Sequence, residues 1–136
     1  MSPENRERFD ALVRRAIDEL PPQFRKALDH IPVIIEDELS RRLRRELLRD
    51  GLIEDHDDEL LGLHTGRSLT EGWQNDHAQP PTQIHLFRDA ISAEAGGWDA
   101  ADADQAVADE VRITLLHELG HHFGLDEDDL DRLGFG

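Results

Sequence analysis

His117-Glu118-Leu119-Gly120-His121 stands near the end of this 136-residue chain, and everything upstream is best read outward from it. On an α-helix, residues four apart share a face, so His117 and His121 can offer two imidazoles to one metal ion. Glu118 can then serve as general base for a water attacking a carbonyl. The preceding stretch from Asp104 to Leu116 has no Pro or Gly and repeats Val107, Val111 and Leu115 at helical spacing. Asp102 or Asp104, after the Gly96-Gly97 loop, is the expected N-cap. Gly124 can end the helix in a left-handed conformation and turn the chain back. The returning residues, Leu125-Asp126-Glu127-Asp128-Asp129, are rich in oxygen ligands. A catalytic zinc takes three protein ligands and keeps one position open. The chain therefore offers two ligands, a base, a turn and a carboxylate, in that order. Surface histidines beside an Arg-paired glutamate would spell the same five letters, but nothing then calls for the turn and the carboxylates.

These residues resemble the zincin superfamily, and within it the small bacterial zincin-like metallopeptidases related to the Asp-zincins. The pattern there is His-Glu-x-x-His-x-x-Gly-x-x-Asp. Glu127 stands here at the position of the third-ligand Asp, and a glutamate also ligates zinc. The resemblance implies a Zn2+ ion held by His117, His121 and Glu127, with Asp126 and Asp128 flanking the third position, and Glu118 as the catalytic base. It implies an α+β fold: a small mixed sheet packed against helices, including the one that carries the motif. It also implies that the strand before that helix is an edge strand. An extended peptide would pair with it through Ile84, His85, Leu86, Phe87 and Arg88. The expected function is zinc-dependent peptide hydrolysis. The alternative is a zincin-like protein that binds an extended peptide or protein without cutting it.

Two departures bear on mechanism. The sole methionine is Met1, so no methionine turn underlies the metal, and the chain has no tyrosine to stabilise an oxyanion. His85, Arg88 or His122 would have to take that role, or a partner chain.

The rest of the chain sets bounds. Its length suits one domain over residues 1–136. A net charge of −16 opposes nucleic acid and anionic membranes as partners, and the resemblance implies a peptide or protein substrate. There is no cysteine, which excludes a disulfide scaffold and a thiolate metal site. The charged stretch Met1 to Glu19 has no apolar core of a signal peptide, and no apolar run reaches membrane-spanning length, so a cytoplasmic protein is expected.

Ser2-Pro3 starts a helix whose stripe is Phe9, Leu12, Val13, Ala16, Ile17 and Leu20, and Pro21-Pro22 ends it. A short helix follows around Phe24, Ala27 and Leu28. Val33-Ile34-Ile35 reads as a buried strand, with Glu36-Asp37-Glu38 as its solvated exit. Ser40 to Asp50 reads as an amphipathic helix with five arginines on its polar face, a surface helix or the contact of a homodimer. The acidic run around His56 reads as loop. Leu60 to Gly66 reads as a strand entering a turn, and Ser68 to Thr82, with Trp73 and His77, as a long loop. Gln83 to Arg88 alternates, with Ile84 and Leu86 on one face and His85 and Phe87 on the other.

Overall fold

The computed structural model describes residues 1–51, 53, 60–65 and 82–133, with the backbone alone for Glu127 and Leu133. The acidic run around His56 and the loop carrying Trp73 and His77 lie outside the described residues.

Helix α1 (Pro3–Asp18) begins as its sequence demands: the Asn5 N–H donates to Ser2 Oγ at 3.1 Å and Pro3 occupies the first turn. Phe9, Leu12, Val13 and Ala16 are buried from it. Pro21 and Pro22 break the helix and start the short α2 (Pro22–Ala27). Strand β1 (Val33–Glu36) is half-buried throughout, less than its apolar run suggests, because it forms one side of the sheet. Helix α3 (Arg41–Arg49) is capped by Ser40, which accepts from the Leu43 N–H at 3.1 Å. Strands β2 (Gly62–Thr65) and β3 (Gln83–Phe87) complete a sheet ordered β1-β3-β2. Helix α4 (Arg88–Glu94) follows β3 without a loop and is not signalled by any strong apolar period. Helix α5 (Ala103–His122) is the long axis of the core, and α6 (Glu127–Leu133) follows it.

The sheet is mixed, within an α+β arrangement. β1 runs parallel to β3, from Val33 beside Ile84 to Glu36 beside Phe87. β2 runs antiparallel, from Gly62 beside Leu86 to Thr65 beside Gln83. The alternation along β3 separates two apolar layers. Ile84 and Leu86 join Phe9, Val13, Val107, Val111, Leu115 and Leu119 in the main core between the sheet and helices α1 and α5. Phe87 turns to the other face, against Leu39, Leu47, Ile53 and Ala90.

This topology corrects the expected substrate edge. β3 is the central strand, with both flanks paired, so no peptide can add to Ile84, His85, Leu86 or Phe87. Ile84 and Leu86 are completely buried, as befits an interior strand. Arg88 is no strand residue either: it opens α4.

The acidic exit of β1 is not merely solvated. Asp37 pairs with Arg6 of α1 and, at 3.1 Å, with Arg88, which also grips Asp10 at 3.0 Å. The Asp89 N–H donates to the Asp37 carbonyl at 3.0 Å. The network ties the β1 exit, α1 and the start of α4 together.

Candidate metal centre

His117 and His121 leave α5 on one face, and their Nε2 atoms stand 3.2 Å apart. The rings meet edge to face, with centroids 4.8 Å apart. Two imidazole nitrogens aimed at one point are what a shared cation requires. With a carboxylate oxygen of Glu118 they form a group whose ligand atoms lie within 4.8 Å of one another. Glu118 is buried, at 8% exposure, beneath β2.

Gly62 explains how the strand comes so close. A Cβ built there would lie 2.6 Å from Thr114 Cγ2 and 3.3 Å from Glu118 Cγ. Only glycine lets β2 lie directly on this turn of α5. Thr114 is itself held by donating from Oγ1 to the Glu110 carbonyl at 2.7 Å.

The end of α5 is built as the sequence suggests. Gly124 takes φ +82°. Its N–H donates to the His121 carbonyl at 3.0 Å, and the Leu125 N–H donates to the Gly120 carbonyl at 2.9 Å. This double bond pattern is a Schellman turn, which only a left-handed residue closes without strain. The returning helix α6 then seats the fully buried Leu130 on Gly120, where a side chain would collide with it.

The same turn sorts the three candidate carboxylates. Asp126 caps α6: its Oδ1 accepts from the Asp129 N–H at 2.9 Å, and its own N–H donates to Asp129 Oδ2 at 3.1 Å. Its carboxylate is thus engaged in the cap. The hydrogen bond from the Asp126 N–H, aided by Arg132, holds the Asp129 carboxyl below its usual range. Asp128 is exposed. Glu127 is the first residue of α6, directly after the cap.

Of the side chains expected to stabilise an oxyanion, Arg88 and His85 are engaged elsewhere. Arg88 is bound to Asp10 and Asp37. His85 places Nδ1 3.1 Å from Glu36 Oε1 and stacks on Phe87, on the sheet face turned away from α5. His122 lies outside the His117–Glu118–His121 group and meets the ring of His64 edge to face, with centroids 5.5 Å apart.

His64 was not legible as a site residue by motif. It is legible by register, since it lies two residues beyond Gly62 and shares its strand face. Burial, followed by the nearby His122 and His121, lowers its pKa to about 4. Burial also lowers the pKa of His122.

A family model described as a zincin-like metallopeptidase matches residues 28–136. The chain belongs to that family.

For a zincin-like metallopeptidase a divalent metal, typically zinc, is implied, and the donor set fits it. Paired imidazoles with a carboxylate beside them suit zinc better than magnesium or calcium, which prefer all-oxygen sites. The zincin-like match begins after α1, yet α1 supplies Phe9, Leu12, Val13 and Ala16 to the core against the motif helix. No described helix is long and apolar enough to cross a membrane.

Proposed function

We propose that this zincin-like protein is a zinc-dependent peptide hydrolase. The observation that carries the reading is the 3.2 Å approach of the His117 and His121 Nε2 atoms beside the buried Glu118. His117, His121 and Glu127 would hold the zinc, with Glu127 favoured because Asp126 is committed to the α6 cap. A bound zinc ion would supply Lewis acidity, easing deprotonation of a water and polarising the scissile carbonyl.

The chain's own residues do the rest. Glu118, screened from solvent by β2, accepts a proton from the attacking water and delivers it to the leaving amine. β2 ends the sheet on its side among the described residues. Its outer flank, running along α5 beside Glu118, is therefore where an extended substrate would add as a further strand.

A second reading has a specific observation in its favour. Arg88 and His85 are held by carboxylates, His122 lies outside the His117–Glu118–His121 group and the chain has no tyrosine, so none of the expected oxyanion donors belongs to that group among the described residues. A protein that binds an extended peptide without cutting it would need none. One experiment separates the two. Zinc is titrated into metal-stripped protein, and peptide-library cleavage is compared for wild type and Glu118→Gln. Tight zinc binding in both proteins, with cleavage by the wild type alone, supports the hydrolase. Tight zinc binding with no cleavage by either supports the peptide binder. Absence of tight zinc binding sinks the hydrolase outright.

A further inference from the structure

We infer that His64 and His122 form a second metal site, a two-imidazole site for a zinc-class divalent cation, beside the His117–His121 centre. His64 Nε2 and His122 Nδ1 are both buried, and neither has a hydrogen-bond partner. A buried polar atom left unsatisfied costs about 1–3 kcal/mol, so two on adjoining rings call for a water or an ion between them.

The geometry resembles the neighbouring pair. The His64 and His122 rings meet edge to face with centroids 5.5 Å apart, against 4.8 Å for His117 and His121. Each ring stands on a rigid element, His64 on β2 in register with Ile84 and His122 in the last turn of α5.

The ligand type selects the ion. Imidazole suits zinc, copper, nickel and iron, whereas magnesium and calcium take oxygen. Two protein ligands leave the remaining positions to water, so this site binds more weakly than a three-ligand centre. His122 also borders a groove of about 700 Å³ with Phe123, Ile31, His30, Lys26 and Thr82. That groove gives water and ions a route to the pair. The inference stands whether or not the first centre cuts peptides.

The test uses the full chain, metal-stripped, in excess magnesium so that surface carboxylates are already occupied. Zinc chloride is titrated and followed by calorimetry. The expected result is two events, one tight and one weaker. His64→Phe removes only the weaker event, and His117→Ala removes only the tight one. Absence of the weaker event in the wild type, or a weaker event that survives His64→Phe, overturns the proposal. Imidazole nitrogen NMR on the wild type guards against a misfolded variant. Zinc added beyond the first equivalent shifts the His64 and His122 ring signals if the site exists, and leaves them unmoved if it does not. Failure of the first centre would appear separately, as loss of the tight event.

Discussion

Gly62 of β2 rests directly on Glu118 of α5: a Cβ on the glycine would stand 3.3 Å from Glu118 Cγ and 2.6 Å from Thr114 Cγ2. The strand therefore acts as the roof of the proposed base. It buries the carboxylate and sets its distance from anything bound along the outer flank of β2.

Gly62→Ala should overpack this contact at a cost of about 1–3 kcal/mol and push the strand off Glu118. The Thr114 methyl is the worst obstacle, and Thr114→Ser deletes it while keeping the Oγ1 bond to the Glu110 carbonyl. The double variant should recover most of the lost stability, so the two changes are strongly non-additive. Urea unfolding of the four proteins measures this directly. Simple additivity would mean that the strand does not lie where the structure places it.

Gly120 makes the corresponding contact on the far side of α5, under Leu130. Gly120→Ala is expected to lift α6, which begins with the proposed third ligand, Glu127. Zinc affinity should fall along with stability. Leu130→Ala removes a fully buried side chain and should cost about 2–5 kcal/mol on its own. Combined with Gly120→Ala it should cost less than the sum, because the collision is gone. Calorimetric zinc titration of Gly120→Ala checks the first claim, and unchanged affinity would detach α6 from the metal centre.

The local logic of the centre was readable from residues alone because it is local. Helical spacing brings His117 and His121 together, and a glycine three residues later closes a turn that short-range hydrogen bonds complete. Helices α1 and α3 followed from periodicity and, for α1, from the Ser2-Pro3 start, while the α+β class came from the resemblance of the motif. Sheet order did not, because pairing is non-local. The alternation of Ile84, His85, Leu86 and Phe87 gives a strand and its two faces, but not whether its flanks are filled. Here β1 and β2 fill both, which leaves β1 and β2 as the outer strands among the described residues and brings His64 beside His122. The role of Asp37 was hidden for the same reason: its partners Arg6 and Arg88 are far away in sequence.

Removing the metal should loosen α6 before anything else. His117 and His121 lie on α5 and Glu127 opens α6, so a shared ion would cross-link the two helices. Chelation should lower the melting temperature, and zinc, but not magnesium, should restore it. Amide exchange should quicken first in the segment 127–133. Equal exchange with and without zinc in that segment would argue against Glu127 as a ligand.

The Asp37 network should leave its mark on acid stability. The hydrogen bond from Arg6, supported by Arg88, holds the Asp37 carboxyl below its usual range. A carboxyl depressed in the folded state takes up its proton later than in the unfolded chain. Its contribution is therefore fully present above the ordinary carboxylate pKa and is lost as pH falls through the depressed value. Asp37→Asn should be less stable than wild type at neutral pH, and the gap should narrow as the solution is acidified through the carboxylate range. The two arginines should differ. The Arg6 side chain is 45% exposed, so solvent screens its pair and Arg6→Ala should cost less than Arg88→Ala. Arg88 is 14% exposed and serves both Asp10 and Asp37, so Arg88→Ala should cost about 1–3 kcal/mol by taking the arginine from Asp10 and leaving Asp37 with Arg6 alone of the two. Denaturant midpoints across pH test both statements, and a gap between wild type and Asp37→Asn that widens in acid would refute the assigned direction.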